Sequence, residues 1–236
     1  AIEPLSWLVR ADAAASVTQR MPVAFEHAMV PYRKPGKDLA QAVCEALEAR
    51  PNARAVLLMN HGVVVAGETL AEVEDALNTL LSALPGTVSP EAPPTAMQQA
   101  QAQAVNASPA LIPLADARLH RLATIPALFK RVQQDWALYP DHVVFLGAKA
   151  ITFTSSASAQ DAATSGGIPS DTPVFIQNLG VFSLSPLPES KLAQLRCYQD
   201  VIERVAPDAA LHGLSIDDIA GLLNWDAERY RQQLNR

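Results

Sequence analysis

Two stretches of the chain share one layout, and this layout restricts the fold more than any other feature of the sequence. Val56 to Gly67 reads VLLMNHGVVVAG, and Val174 to Ser185 reads VFIQNLGVFSLS. In each stretch an Asn-X-Gly tripeptide separates two β-branched and aliphatic runs, which predicts two strands joined at a tight corner. Helical patterns with an apolar stripe follow, at residues 70–84 and 189–206. Because strands alternate with helices, we expect an α/β fold with a layered sheet.

The similarity of the two corners has two open explanations, an internal duplication or convergence on one sheet-edge geometry. Val174 lies 118 positions after Val56, and the shared Val, Asn and Gly positions are too few to decide between them. The middle residue differs, since the first corner carries His61 and the second Leu179. The turn itself therefore does not require histidine, which favours a functional role for His61.

The remaining segments give weaker patterns. Thr69 with Glu72, and Ser215 before a short helix ending near Leu223, are helix-start signals. Residues 115–139 predict a helix kinked or split at Pro126. The other expectations are helices at 34–50 and 95–105, short strands at 142–147 and 150–154, a linker at 85–94 and a mobile surface loop at 155–171.

Composition excludes several classes of function. The net charge of -6 and the pI of about 5.3 offer no basic field for nucleic acid or acidic lipid. No apolar run approaches the roughly 18 residues of a membrane span. Cys44 and Cys197 are the only cysteines of the 236 residues, too few for a disulfide framework or a thiolate cage. We read both as buried thiols of a cytoplasmic protein.

Among the five histidines, His61 is the strongest candidate for chemistry. It lies between two runs apolar enough to be buried, so its ring needs a hydrogen bond or a metal. Taken alone, a hydrogen-bonded core histidine is the simpler interpretation. We interpret His120 as a solvated helix residue, His142 as a turn residue at the start of a strand, and His212 as a helix C-terminal residue, and leave the role of His27 open.

The order VPYRKPGKDLAQAV, then AVLLMNHGVVVAGETLAEVEDAL, resembles the class II aldolase/adducin family, over about Val30 to Leu77. The family carries a PY segment and then LL-x-NHG. The resemblance implies a three-layer α/β/α sheet with an added C-terminal α/β region. It divides the chain into a core at 1–84, a linker and helix at 85–110, and an α/β extension at 111–236. The second half and the closing LLNWDAERYRQQL are similar to longer members, including the aldolase part of bifunctional rhamnulose-phosphate aldolases.

The resemblance also implies a divalent metal, usually zinc, held by three histidines. Two come from an H-x-H pair and the third from the NHG corner, which matches His61. The H-x-H pair is not in these 236 residues, and the position of the matching helix predicts it just upstream of Ala1, with an acidic catalytic residue further upstream. Tyr32, Asn60 and Gly62 are candidate substrate-binding residues. Their alternatives are structural, a helix anchor for Tyr32 and corner geometry for Asn60 and Gly62.

Two functions follow from the resemblance. The first is a metal-dependent lyase that cleaves a small sugar phosphate or hydroxy-acid through an enediolate, and the family also holds epimerases, dehydratases and decarboxylases. The second is a non-enzymatic, adducin-like binding and oligomerisation module. Members commonly form oligomers and act on small molecules, which implies a homo-tetramer or homo-dimer with a small-molecule substrate. The charge and hydropathy described above predict neither nucleic acid nor membrane as a partner.

Overall fold

The computed structural model describes residues 2–86 and 110–225. Over these residues the chain is a mixed α/β protein with two small sheets and ten α-helices. The helices are α1 (Ile2–Leu8), α2 (Ala13–Arg20), α3 (Lys37–Ala49), α4 (Leu70–Ala83), α5 (Arg121–Thr124), α6 (Pro126–Gln134), α7 (Pro140–Leu146), α8 (Ser156–Thr164), α9 (Glu189–Glu203) and α10 (Ile216–Leu223). The strands are β1 (His27–Val30), β2 (Ala55–Leu58), β3 (Gly62–Val65), β4 (Ile112–Pro113), β5 (Ile151–Phe153), β6 (Val174–Ile176) and β7 (Gly180–Ser183).

The two sheets repeat one arrangement. The first has the order β1-β2-β3, in which β1 and β2 are parallel and β2 and β3 antiparallel. The second has the order β4-β7-β6-β5, in which β5 and β6 are parallel and β6 and β7 antiparallel. Each sheet thus belongs to a strand–helix–strand–strand–helix unit. We call β1 to α4 the first unit and β5 to α9 the second unit.

Both predicted corners have the same backbone. Asn60 and Asn178 are the only non-glycine residues with positive φ among the described residues, at 57° and 62°. Gly62 and Gly180 follow at 150° and 147°. Asparagine tolerates the left-handed region better than other residues with a side chain, so these two positions set the turn.

Helix α1 packs against two separate clusters of buried apolar side chains. Its Trp7 and Leu8 pack with α2, α4 and β2 in the core of the first unit. Ile2 and Leu5, on another face, pack against the core that includes α6 and α9. Strand β2 is buried along its whole length, as expected for a strand covered on both faces.

Most helix boundaries follow the predicted signals. Thr69 Oγ1 accepts from the Glu72 backbone N–H, and Ser215 with Asp218 forms a complete capping box. The segment 115–139 divides at Pro126, which occupies the first turn of α6 after a 3-10 turn at Ala117–His120 and α5. Strand β5 confirms the predicted strand at 150–154.

Two of the predictions for the second half are wrong. Residues 142–147 form most of helix α7 rather than a strand, because Pro140 begins the helix and Gly147, at a φ of 91°, ends it. Residues 156–164 form helix α8 rather than a loop, because the Ser155 hydroxyl caps its start and Ala159 is buried in a separate apolar cluster against β6 and β7.

Four further predictions are also corrected. His120 is buried, since its ring lies under the second corner. His142 lies within α7 and is fully buried. His212 follows α9 by several residues and is not part of a helix. Cys44 is exposed, because α3 buries none of its residues, whereas Cys197 is partly buried.

Several predictions fall outside the described residues, namely the linker from 87 onward, the helix at 95–105 and the closing helix after residue 225. Within the described residues, none of the helices is long and apolar enough to cross a membrane.

Candidate functional site

His61 is held in a defined orientation at the corner between β2 and β3. Its Nε2 lies 2.7 Å from the carbonyl oxygen of Arg33. Because a carbonyl oxygen can only accept, Nε2 carries the proton, and Nδ1 holds the lone pair in the neutral ring. Burial lowers the pKa of His61 below its usual value, and the Arg33 carbonyl and the Asp141 charge partly oppose this shift. The ring is therefore favoured in its neutral form with Nδ1 as the acceptor.

Tyr32 fixes the plane of the His61 ring. The two rings stack in parallel, with centroids 5.2 Å apart and an interplanar angle of 6°. The Tyr32 hydroxyl is buried and has no hydrogen-bond partner among the described residues. Burial, with the negative charge of Asp218, raises the pKa of Tyr32 to about 12. Tyr32 thus stays a neutral phenol that packs on His61.

The two neighbours of His61 contact protein. Asn60 is fully buried, and its side-chain amide donates to the carbonyl oxygens of Leu138 at 2.9 Å and His212 at 2.7 Å. A Cβ at Gly62 would lie 3.4 Å from the side chain of Leu5. Asn60 therefore joins the corner to two segments from the C-terminal half. Substrate contacts for Asn60, Gly62 and Tyr32 stay predictions.

A cavity of about 300 Å³ opens beside His61. The residues that line it include Leu5, Pro35, His61, Asp141, His142 and Cys197. Its lining residues thus come from the first corner, from the N-terminal turn of α7 and from the middle of α9, among other segments. We call it the His61 cavity. It brings together one histidine that the sequence singles out and one that the sequence analysis places in a turn.

His61 satisfies the requirements for one metal ligand. Metal-binding histidines commonly donate their second ring N–H to a backbone carbonyl, as Nε2 does here, and bind through the other nitrogen. A catalytic zinc needs two more protein ligands. Within residues 2–86 and 110–225, there is no group of three His, Cys, Asp or Glu side chains that could hold a metal ion. The described residues fit one position of the expected site and do not complete it.

The second corner shows what the same turn does without an imidazole. Leu179 packs against the apolar cluster that contains Ile176 and Phe182. The ring below that corner is His120, whose Nδ1 accepts from the Val181 backbone N–H at 3.0 Å and whose Nε2 donates to the Leu114 carbonyl at 3.0 Å. His120 therefore has a structural role, whereas the hydrogen bond of His61 leaves Nδ1 unused.

His142 lines the cavity, a position that its sequence context does not indicate. It lies one turn after Tyr139, on the inner face of α7, and contacts the rings of Tyr139 and Tyr198. The signal that could have located it is Pro140-Asp141 followed by Gly147, the start and stop of a seven-residue helix in which every residue except Asp141 is buried.

Comparison with known proteins identifies the first part of the chain. Residues 5–84 match the family described as Class II Aldolase and Adducin N-terminal domain. This range contains the second half of α1, the whole first unit, Tyr32 and the Asn60-His61-Gly62 corner. No curated protein and no solved structure shows a significant match to the chain. Residues 5–84 therefore form a domain of the class II aldolase and adducin type.

Proposed function

We propose that the protein is an aldolase-type lyase of its family, acting on a small sugar phosphate or hydroxy-acid. One observation supports this proposal above the others. The His61 ring is oriented by the Arg33 carbonyl and by Tyr32, has Nδ1 unprotonated, and borders a cavity large enough for a small metabolite. A residue with only a packing role would not need this orientation, as Leu179 shows at the second corner.

The family resemblance suggests that His61 contributes one ligand to a divalent metal, with zinc as the first candidate. When bound, such a metal supplies a Lewis acid that polarises a substrate carbonyl and stabilises an enediolate. For this chemistry, the described residues hold the His61 ring in a fixed orientation. The Arg33 carbonyl holds the proton on Nε2, and the Tyr32 ring restricts rotation of the imidazole. Both contacts reduce the reorganisation needed when His61 binds.

The test is metal content in the full-length protein with His61→Leu. This substitution reproduces the residue of the second corner, so the turn is expected to keep its fold. We expect wild type to retain about one zinc per chain after exhaustive dialysis and His61→Leu to lose it, with aldol cleavage lost in parallel. His212→Gln, which removes an exposed imidazole elsewhere, is the matched control and should retain both. Equal metal content in all three proteins would reject His61 as a ligand.

The adducin-like alternative is supported by a specific observation as well. The described residues supply one of the three expected ligands. A non-enzymatic module would show no metal in wild type and no cleavage of any hydroxy-carbonyl substrate, with oligomerisation retained. A homo-oligomer, either a tetramer or a dimer, is part of both proposals, as is the similarity of the second half to longer members.

A further inference from the structure

A second cavity, of about 310 Å³, lies at the end of α1. Three arginines line it: Arg10 comes from the segment after α1, Arg20 is the last residue of α2, and Arg204 follows α9. None of the described residues that line it is acidic. We call it the arginine cavity. It shares no lining residue with the His61 cavity, so it is a separate place in the fold.

The indole of Trp7 holds two of these arginines. The guanidinium carbons of Arg10 and Arg20 lie 4.5 Å and 4.4 Å from the centre of the Trp7 ring. The indole N–H donates to the carbonyl oxygen of Pro85 at 3.0 Å, which fixes the plane of the ring. A cation over an aromatic face is attracted to it, but two cations held at one ring repel each other. An anion beside both guanidiniums would remove this repulsion.

The existing partners of the three arginines leave N–H donors unused. Arg10 donates from Nε and Nη2 to the Asp12 carboxylate at 2.9 Å and 3.0 Å. Arg204 donates from Nη1 to the Asp200 carboxylate and carbonyl at 3.1 Å and 2.8 Å. Arg20 contacts Trp7 and has no hydrogen bond or ion pair within residues 2–86 and 110–225. Since a guanidinium has five N–H donors, all of those of Arg20 and one terminal nitrogen of Arg10 and of Arg204 are available.

The helix ends explain only part of this arrangement. A cation at a helix C-terminus interacts favourably with the helix dipole, and Arg20 and Arg204 both lie at such ends. The dipole accounts for one charge at each helix and not for the convergence of three charges on one cavity. Asp12, Asp200 and Glu3, which lies 3.6 Å from Arg204 Nε, are the acidic partners. These carboxylates do not line the cavity, whereas the guanidiniums do.

We propose that the arginine cavity binds a phosphate group, either as the free ion or as a small monoester. The guanidinium fork matches the spacing of phosphate oxygens, and Arg is the residue best suited to this recognition. A tetrahedral dianion presents enough oxygens for three guanidiniums, whereas a carboxylate presents two oxygens and one charge. The proposal does not depend on the proposed function, because the two cavities have no lining residue in common.

Arginine labelling measures occupancy at the cavity itself. The full-length protein is treated with phenylglyoxal at constant ionic strength, and the labelling rate of each arginine is followed by peptide mass spectrometry. Arg20 reports on the cavity, and Arg50, exposed at the end of α3, is the internal control. The probes are inorganic phosphate, methyl phosphate and acetate. We expect either phosphate to slow labelling of Arg20 in a saturable way, with Arg50 unchanged, and acetate to affect neither.

The two phosphate probes distinguish the two sources of the group. Half-protection of Arg20 at a lower concentration of inorganic phosphate identifies the free ion as the ligand. Half-protection at an equal or lower concentration of methyl phosphate identifies a monoester, since the cavity then has room for the organic substituent.

Arg204→Gln tests the assigned residues. Asp200 keeps an ion pair with Arg118 at 2.8 Å in this variant, so no carboxylate is left alone. We expect the phosphate concentration for half-protection of Arg20 to rise by about tenfold or more, as for the loss of a charge-assisted hydrogen bond. Lys130→Gln removes the same charge from an exposed position on α6 and should behave as wild type. Arg10→Gln makes the same comparison should Arg204→Gln fail to fold.

Three results would overturn the proposal. They are no protection of Arg20 in wild type, equal protection by acetate, or the same half-protection concentration in wild type and in the arginine variants. The first would show that the guanidiniums serve the fold alone. Labelling of Arg20 requires neither metal nor turnover and should be the same in His61→Leu. Failure of the proposed lyase activity would therefore be seen in the metal and cleavage assays and would leave this result standing.

Discussion

At the scale of single residues, two of the buried histidines, His120 and His142, have opposite environments. His120 uses both ring nitrogens in hydrogen bonds to the backbone, whereas His142 uses neither. Burial lowers the pKa of both rings, and for His142 the pKa falls to about 3 from the usual 6.5. Both are therefore neutral in the fold, but only His120 contributes hydrogen bonds that hold it together.

This difference predicts how stability depends on pH. Between pH 6.5 and about 3 the unfolded chain binds a proton at His142 that the folded chain does not. Stability is therefore unaffected by this group above pH 6.5 and falls as the pH decreases below it, by up to about 1.4 kcal/mol per pH unit. His142→Phe removes this loss, so its stability relative to wild type should increase as the pH falls. Urea unfolding at pH 7, 6 and 5 measures the difference.

His120→Phe is the matched control for that experiment. At pH 7 it leaves the Val181 N–H and the Leu114 carbonyl without a partner, and we expect a loss of about 2 kcal/mol or more. His142→Phe at the same pH should be neutral or stabilising, because it removes two unsatisfied atoms. Parallel pH profiles for wild type and His142→Phe would show that His142 is protonated in the fold or has a partner.

At the scale of elements, the corners show how the same turn is packed in two ways. The Gly62 corner faces the end of the Leu5 side chain. The Gly180 corner faces the ring of His120, which is itself bonded to the next residue, Val181. Leu5 and His120 hold corresponding positions relative to the two corners. The backbone N–H of Asn60 donates to the carbonyl oxygen of Leu8, three residues after Leu5, and that of Asn178 donates to the carbonyl oxygen of Ala123, three residues after His120.

The same glycine-to-alanine substitution is expected to lower the stability of the protein by different amounts at the two corners. Both glycines have φ values that side chains rarely adopt, so Gly62→Ala and Gly180→Ala share a backbone cost of about 1 kcal/mol. At Gly180 the new Cβ would also overlap the His120 ring, and the buried hydrogen bonds of that ring would be lost. We expect Gly180→Ala to destabilise by at least about 2 kcal/mol more than Gly62→Ala. Thermal unfolding of both variants decides this, and equal losses would contradict the packing of His120 below the corner.

The elements also show what the sequence can and cannot predict. The corners, helix α3 and the break at Pro126 follow from local chemistry, so patterns of a few residues predicted them. Helix α7 was predicted as a strand because four successive apolar residues, Val143–Leu146, suit either structure. The burial of His120 and the cavity position of His142 depend on contacts between segments far apart in the chain. Local spacing carries no information on such contacts, which is why the histidine at the corner was found and its neighbour in the cavity was not.

At the scale of the whole molecule, hydrogen bonds join α1, the residue after it and the first corner to the segments that flank the second unit in the chain. Leu5 accepts a hydrogen bond from Tyr139, and Val9 accepts one from the backbone of His212 at 2.7 Å. The Asn60 amide bonds to the carbonyls of Leu138 and His212. The His61 cavity lies beside these contacts, because Leu5 and Tyr139 both line it.

This arrangement predicts a single unfolding transition, although a chain of 236 residues is long enough to unfold in two steps. Trp7 lies in the core of the first unit, and Trp136 packs on Phe175 and Tyr198 in the core of the second. In a Trp225→Phe background, Trp7→Phe leaves Trp136 as the probe, and Trp136→Phe leaves Trp7. We expect tryptophan fluorescence and far-UV circular dichroism to give the same urea midpoint within each variant, because loss of either core exposes one face of α1. The opposite result would be a Trp7 fluorescence midpoint at lower urea than the dichroism midpoint and a Trp136 midpoint at higher urea. It would show that the units unfold separately and that α1 does not couple them.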